Sequence, residues 1–265
     1  MLNSHPSTDS TTREVFATSG RLSGPFLPVE GSTRPEAGVV HVFRFHLSGD
    51  DEVSALLDDS EGERARRFIF DHHRRRFTVA HGVKRQILSH VLGVPPGGLQ
   101  FAAGPWGKPF LREPNLSNLG FNLSHSGDWA LLAIAPITTV GVDLEQHRTL
   151  GDMDGVARVS FSPRELKRWR SLEEHQREVG FFNAWTRKEA YIKAIGQGLH
   201  CPLDSFDVSL HPDEPPRLLQ INGEARLADG WSLYSFEVAP NYPGALVLPA
   251  GRWKVHLWTW RDAPT

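Results

Sequence analysis

The stretch from Trp185 to Lys193 places four charged side chains inside an aromatic helical pattern, and few folds can accommodate that combination. At about 100° per residue, the apolar side chains within residues 181–195 form one broad arc that has to pack against a core. Lys188 projects into this arc, whereas Glu189 and Lys193 lie side by side at its border. The pattern therefore predicts a helix that carries a carboxylate and an ammonium between core and cleft. The alternative is an ordinary surface pair, which would stabilise the helix by only about 0.3 to 0.5 kcal/mol.

The composition narrows the class of protein. The chain has 265 residues, of which 39% are hydrophobic, enough for the core of one large domain or of two domains of ordinary size. Its net charge of -2 gives no reason to expect nucleic acid or a membrane surface as a partner. The single Cys201 excludes an internal disulfide and a Cys-rich zinc site. Without an export signal or a run of roughly 18 apolar residues, the chain is expected to be cytoplasmic.

The order of patterns along the chain predicts two similar halves. Residues 1–37 are rich in Ser, Thr, Gly and Pro and are expected to form a flexible tail. A strand at 39–47, a charged helix at 58–67, a long helix within 68–92 and two strands within 120–135 follow. After a boundary at 136–139 come a strand at 140–145, the helix at 181–195 and five strands within 206–260. The long helices carry Lys84 and Lys188 at the same register, 104 positions apart, which suggests a repeat.

These observations predict an α+β fold in which the halves 38–137 and 138–265 are related by a pseudo-twofold axis. Each half is expected to hold a small, mainly antiparallel sheet packed by one long helix. A cleft between the two halves is then the natural place for a site.

Polar residues at two strands are the candidates for chemistry. Asp143 and Glu145 alternate on one strand face about 7 Å apart at the Cα atoms, a span over which two carboxylates can converge on Mg²⁺ or Mn²⁺. The alternative is the exposed face of an edge strand. Ser124 and His125 lie at the mouth of a tight turn and could receive a phosphate, or could simply be a turn cap and a surface residue. Glu165 completes a capping box and needs no catalytic role.

Several motifs together resemble those of the 4'-phosphopantetheinyl transferases. Residues 141–145 and 185–193 are similar to the two signature motifs of that family, in the same order. Four further stretches resemble the larger, surfactin-synthetase-activating type, namely residues 63–68, 106–109, 122–126 and 161–162. The resemblance runs from about residue 60 to residue 200. It implies two α/β halves and the transfer of the phosphopantetheine arm of coenzyme A to a serine of an apo carrier protein, with release of adenosine 3',5'-bisphosphate.

The resemblance also implies roles for individual residues. Asp143, Glu145 and Glu189 would bind Mg²⁺, with Mn²⁺ as a substitute. Glu189 and Lys193 would be catalytic, although the base could be Glu189 or a metal-bound water. Contacts to the coenzyme would come mainly from the first half, through Arg64, Lys108, Asn122, Ser124 and His125, joined by Asp143 and Lys193. The expected protein is a monomer that acts on acyl, polyketide or peptidyl carrier proteins.

Two functions of other classes use the same residues. A metal-dependent phosphohydrolase would need these acids and cations but no surface for a carrier protein. A non-catalytic module that binds coenzyme A or a carrier would not need the complete set of acids, yet Asp143, Glu145, Glu189 and Lys193 are all present. The sequence therefore favours the transferase.

Overall fold

The computed structural model describes residues 19–30, 33–48, 51–114, 118–148 and 151–260. Up to the boundary at 136–139, its strands are β1 (Gly20–Arg21), β2 (Leu27–Pro28), β3 (Val39–His46), β4 (Gln100–Ala103), β5 (Pro109–Glu113), β6 (Gly120–Ser126) and β7 (Trp129–Ala135). The helices of this part are α1 (Asp59–Arg66) and α2 (Asp71–Leu92). Beyond the boundary, the strands are β8 (Gly141–Leu144), β9 (Phe206–Val208), β10 (Leu218–Ile221), β11 (Trp231–Ala239), β12 (Tyr242–Pro249) and β13 (Lys254–Thr259). The helices there are α3 (Met153–Ser160), α4 (Pro163–Arg170), α5 (Glu174–Ile195) and α6 (Ala225–Ala228).

Two sheets pack face to face and are covered by helices on their outer sides. The first sheet has the strand order β2-β13-β3-β7-β6, and the second has the order β1-β11-β12-β8. Apolar side chains of both sheets, such as Val40, Leu131, Val142 and Leu246, form one shared core between them. Helix α2 buries its apolar face on the first sheet, and α5 buries its face on the second. The predicted fold class, an α+β protein of two similar halves, is confirmed.

The helix ends follow from local sequence. Helices α2 and α5 each contain 22 residues and end at Gly93 and Gly196, whose φ angles of 67° and 73° favour glycine. Helix α4 begins with a capping box in which the Ser162 hydroxyl accepts from the Glu165 backbone N–H and Glu165 accepts from that of Ser162. No helix among the described residues combines the length and the apolar character needed to cross a membrane.

The repeat of 104 positions extends to buried ion pairs. In the first half, Lys84 donates to Glu61 at 2.6 Å, and in the second half Lys188 donates to Glu165 at 2.6 Å. Both glutamates occupy the third position of a capping-box helix. The ammonium of each lysine also lies close to the face of a phenylalanine ring. The distance to the ring centroid is 4.0 Å for Lys84 and Phe101, and 4.3 Å for Lys188 and Phe206. The two halves are therefore built on the same buried arrangement.

The boundaries drawn from the sequence differ from the structure at both ends of the chain. Strand β13, expected in the second half, lies in the first sheet, where it is parallel to β3 and Val255 pairs with Val40. Strand β1, expected in the flexible tail, is parallel to β11 in the second sheet. Parallel partners are joined by long crossovers, so local patterns do not reveal which sheet a strand enters.

The prediction of a flexible tail over residues 1–37 is wrong for the described residues 19–30 and 33–37. Leu22 and Phe26 are buried in the core between the sheets, and the ring of Phe26 packs edge-on against Phe236. A composition poor in apolar residues cannot form its own core, but a few anchors suffice when a sheet already provides one. Residues 1–18 lie outside the described part of the chain.

Candidate active site

Helix α5 lies directly on strand β8, and a glycine makes this close approach possible. A Cβ atom added to Gly141 would lie 2.1 Å from the carbonyl oxygen of Ala190 and 2.4 Å from the amide nitrogen of Ala194. Alternation along the strand directs Asp143 and Glu145 toward the same helix. Helix and strand therefore bring the acids of residues 141–145 to the charged side chains of residues 185–193.

Asp143 is the centre of a buried polar cluster. Its Oδ1 accepts hydrogen bonds from the Lys193 ammonium at 2.6 Å and from the Ser124 hydroxyl at 2.7 Å, and Lys193 also donates to Ser124 at 2.8 Å. Asp143 is 2% exposed, and its Oδ2 has no hydrogen-bond partner among the described residues. A buried carboxylate oxygen without a partner is costly, so this atom is suited to a ligand that supplies positive charge.

Glu145 is held by two donors at the edge of this cluster. The Ser126 hydroxyl donates to its Oε2 at 2.7 Å, and the Trp185 indole N–H donates to its Oε1 at 3.2 Å. Burial and the negative charge of Asp143 nevertheless raise the pKa of Glu145. The side chain is thus oriented for a ligand while its negative charge is only partly compensated.

Glu189 experiences the same accumulation of negative charge. Burial raises the pKa of Glu189 to about 7, and the carboxylates of Asp143 and Glu145 contribute in the same direction, whereas Lys193 lowers it. The three carboxylates of the site thus carry more negative charge than the single Lys193 ammonium can balance. A bound cation would relieve this repulsion.

The donor chemistry fits a divalent cation. Hard cations such as Mg²⁺ prefer carboxylate oxygens, and the partnerless Oδ2 of Asp143 is one such donor. As placed, no three His, Cys, Asp or Glu side chains among the described residues lie close enough together to ligate one ion. Glu145 and Glu189 would therefore have to turn toward Asp143 to complete a metal site.

The predicted phosphate contacts divide into two groups. Ser124 is buried in the Asp143 cluster, and His125, the next residue of β6, is exposed within electrostatic reach of Lys193 and Asp143. The guanidinium carbon of Arg64 lies 5.3 Å from the ring centroid of Phe77. No hydrogen bond or ion pair in the described ranges connects Arg64 to the acids. Coenzyme contacts by Arg64 and His125 stay predictions.

Lys108 and Asn122 have backbone partners in place of a phosphate. The Asn122 side-chain oxygen accepts from the backbone N–H of Val142 at 2.8 Å and so connects β6 with β8. The Lys108 ammonium donates to three backbone carbonyls, and burial lowers the pKa of Lys108 to about 8. Their predicted contacts with the coenzyme are untested, but both residues already connect parts of the protein.

Two simpler interpretations of the sequence are wrong. Asp143 does not lie on an exposed strand face, because helix α5 covers it. Lys193 does not form an ion pair with Glu189 but donates to Asp143, which lies 50 positions away in the chain. In contrast, the structural role of Glu165 is confirmed, because it caps α4 and also accepts from the buried Lys188.

Ser126 and Trp185, the two donors to Glu145, are functional residues that the sequence patterns did not single out. A signal was available, because Ser124 and Ser126 alternate on β6 as Asp143 and Glu145 do along the chain, and both pairs are 19 positions apart. The equal spacing allows two adjacent serine–carboxylate pairs because β6 and β8, which belong to different sheets, lie against each other.

Comparison with known proteins gives the site a family. Residues 139–247 match the model of the 4'-phosphopantetheinyl transferase superfamily, and residues 50–137 match that of the N-terminal part of 4'-phosphopantetheinyl transferases. The chain is 38% identical to the 4'-phosphopantetheinyl transferase HetI of a Nostoc species, over 83% of this chain and 91% of that protein. It is 28% identical to the 4'-phosphopantetheinyl transferase Sfp of Bacillus subtilis, over 74% of this chain and 84% of that protein. With both halves matched by family models and 38% identity over most of the chain, the chain belongs to the 4'-phosphopantetheinyl transferase family.

Proposed function

We propose that this enzyme transfers the 4'-phosphopantetheine group of coenzyme A to a serine of an apo acyl, polyketide or peptidyl carrier protein. The observation that carries the proposal is the Lys193–Asp143 ion pair between β8 and α5, with the carboxylates of Glu145 and Glu189 within electrostatic reach of it. A reaction at a pyrophosphate requires positive charge on the phosphate oxygens and a base for the attacking hydroxyl. This cluster offers groups for both tasks.

In the proposed reaction, the serine oxygen of the carrier attacks the β-phosphorus of coenzyme A. A new bond forms between oxygen and phosphorus, and the bond from that phosphorus to the bridging oxygen breaks. Adenosine 3',5'-bisphosphate leaves with the electron pair. The proton of the serine passes to Glu189, directly or through a water.

Lys193 and Ser124, which are hydrogen-bonded to Asp143, would bind the pyrophosphate. The Lys193 side chain is partly exposed, so its ammonium can turn from Asp143 toward a phosphate oxygen. A Mg²⁺ or Mn²⁺ ion held by Asp143, Glu145 and Glu189 would neutralise part of the phosphate charge. Arg64 and His125 would complete the coenzyme site with contacts to its phosphates.

We also propose that the enzyme acts as a monomer and in the cytoplasm. The chain contains both halves that form the site, which supports action as a monomer. The free and buried Cys201 suits a reducing compartment such as the cytoplasm.

The decisive test is the mass of a carrier protein after incubation. The protein, coenzyme A and Mg²⁺ are mixed with apo acyl, polyketide and peptidyl carriers, and each carrier is then weighed by mass spectrometry. We expect at least one carrier to gain one phosphopantetheine group and a stoichiometric amount of adenosine 3',5'-bisphosphate to appear. A carrier whose acceptor serine is replaced by alanine is the control.

Two results would contradict the proposal. Cleavage of coenzyme A at the same rate without any carrier would identify a phosphohydrolase. Binding of coenzyme A or carrier without a change in mass across the panel, with and without Mg²⁺, would identify a non-catalytic module.

A further inference from the structure

We propose that Lys108 is a positioning residue that holds the catalytic helix α5 in register with the metal-binding strand β8, and that it is not a ligand of the coenzyme phosphates. The inference rests on the proposed function, because it concerns the geometry of the same acids. It departs from the role that the sequence suggested for Lys108.

The contacts of the ammonium are the first support. Lys108 belongs to the turn between β4 and β5 in the first half of the chain. Its Nζ donates to the carbonyl oxygens of Val140 at 2.9 Å, Ala194 at 2.9 Å and Thr138 at 3.3 Å. A lysine ammonium has three N–H donors, so these three carbonyls use all of them. A phosphate could bind only if some of these bonds were broken.

The positions of the three carbonyls show what the ammonium joins. Ala194 lies in the last turn of α5, where carbonyl oxygens lack partners within the helix and a cation is favourable. Val140 immediately precedes β8, and Thr138 lies in the boundary segment between the halves. One side chain of the first half therefore ties the end of the helix to the start of the strand.

The packing around this joint leaves little room for sliding. A Cβ atom added to Gly196 would lie 3.0 Å from Cδ of Lys108, so the aliphatic stem rests on the residue that ends α5. On the neighbouring side, Gly141 is in direct contact with the backbone at Ala194. The hydrogen bonds of Lys108 and the close packing of the two glycines thus hold the end of α5 against the start of β8.

The joint lies next to the reacting groups along both elements. Lys193 precedes Ala194, and Asp143 follows Val140 by three positions. Any slip of the helix along the strand would change the 2.6 Å contact between Lys193 and Asp143 and would displace Glu189 from the other acids. A displacement of about 1 Å in a reacting geometry can lower a rate by about 100-fold.

The experiment compares two substitutions of Lys108 with a matched surface control. Lys108→Met keeps the stem but removes all donors, and Lys108→Arg keeps the charge but cannot converge three donors on the same carbonyls. Lys167→Met removes an exposed lysine from α4 and serves as the control. For each protein, kcat, KM for coenzyme A, the Mg²⁺ concentration for half-maximal transfer and the calorimetric Kd for coenzyme A are measured.

A positioning role predicts a defect in kcat and in metal dependence. We expect both Lys108 variants to lose about 10- to 100-fold in kcat and to require more Mg²⁺, while their Kd for coenzyme A stays within about twofold of the parent. A phosphate ligand predicts the reverse. A rise of tenfold or more in Kd and KM for Lys108→Met, with kcat and Mg²⁺ dependence unchanged and with full activity in Lys108→Arg, would overturn the proposal.

Hydrogen exchange in the absence of coenzyme and carrier separates this inference from the proposed function. Without the Lys108 bonds, backbone amides in the last turn of α5 and at the start of β8 should exchange faster than in the parent and in Lys167→Met. Unchanged exchange there would overturn the positioning role even if the enzyme transfers phosphopantetheine. Faster exchange would support it even if no carrier is modified. Should Lys108→Met fail to fold, the exchange in Lys108→Arg decides.

Discussion

At the scale of single residues, the site is defined by excess negative charge. Burial raises the pKa of Glu189 to about 7, the carboxylates of Asp143 and Glu145 act in the same direction, and Lys193 is the cation that partly balances them. An arrangement of this kind is costly for folding, because burial and repulsion both oppose ionisation. It is expected where charge is used for ligand binding and catalysis.

Replacement of Glu189 or Lys193 should remove activity but not the fold. Glu189→Gln removes the proposed metal-binding charge and the proposed acceptor for the serine proton, and Lys193→Met removes the cation proposed to bind the phosphate. Each change should lower the rate of carrier loading by about 100-fold or more. Glu174→Gln, an exposed change on the same helix, is the control. Thermal melts and carrier mass spectrometry check the result, and folded variants with parental rates would contradict it.

Asp143 and Glu145 should differ in their response to added metal. Glu145→Ala removes one proposed ligand whose present partners are Ser126 and Trp185, so higher Mg²⁺ should restore part of the activity. Asp143→Ala also leaves Lys193 and Ser124 without their shared acceptor, so metal should restore less. Transfer rates over a Mg²⁺ titration measure the difference. Equal and complete recovery of both variants would show that Asp143 has no role beyond metal binding.

At the scale of elements, each long helix is fixed by a buried lysine and a capping glutamate. Lys188 and Glu165 are almost fully buried, and Glu165 also accepts from the backbone N–H of Val208. Removal of one partner from such a pair leaves an uncompensated buried charge. The pair therefore specifies where α5 meets α4 and β9.

Lys188→Met should consequently destabilise the protein by about 3 to 5 kcal/mol. The double variant Lys188→Met/Glu165→Gln should recover part of this loss, because no charge then stays unpaired. Urea unfolding of both variants and of Lys167→Met measures the change in free energy. If the double variant were no more stable than the single one, the unpaired charge would not be the cause of the loss.

The elements also show how far sequence reasoning extends. Periodicity and capping residues predicted the long helices, the β6–β7 hairpin and the placement of Asp143 and Glu145 on one strand, because these features depend on neighbours along the chain. The partners of Lys108 and Lys193 could not be predicted, because they lie 86 and 50 positions away. The sheet that β13 joins is equally invisible to local patterns, because parallel strands share no turn.

At the scale of the whole molecule, the first described strand lies in the sheet of the second half and the last described strand lies in the sheet of the first half. Strand β13 lies between β2 and β3 in the first sheet, and the Trp258 indole N–H donates to Nδ1 of the buried His41 at 2.9 Å across this pairing. Burial lowers the pKa of His41 to about 4, and the neighbouring His256 contributes. The folded protein therefore favours the neutral imidazole.

This shift predicts acid sensitivity. The pKa of His41 in the folded state lies below the usual value of about 6.5, so the folded state binds a proton at this residue less readily than the unfolded state. The free energy of unfolding is therefore unaffected by His41 protonation above pH 6.5 and decreases by up to about 3 kcal/mol as the pH falls toward 4. His41→Gln retains an acceptor for Trp258 and should flatten this decline. Urea midpoints between pH 7.5 and 4.5 test it, with the exposed His72→Gln as control. Parallel curves for the parent and His41→Gln would contradict the assignment.

The place of β13 also affects how the protein folds during synthesis. Residues 254–259 emerge from the ribosome after every other strand described here, yet they fill an interior position of the first sheet. Until they arrive, the nascent first half presents β3 with one unpaired edge, which can attract other chains. The sheet of the first half therefore cannot be completed before the second half is translated. A ribosome that stalls within the second half would release a fragment that is prone to aggregation.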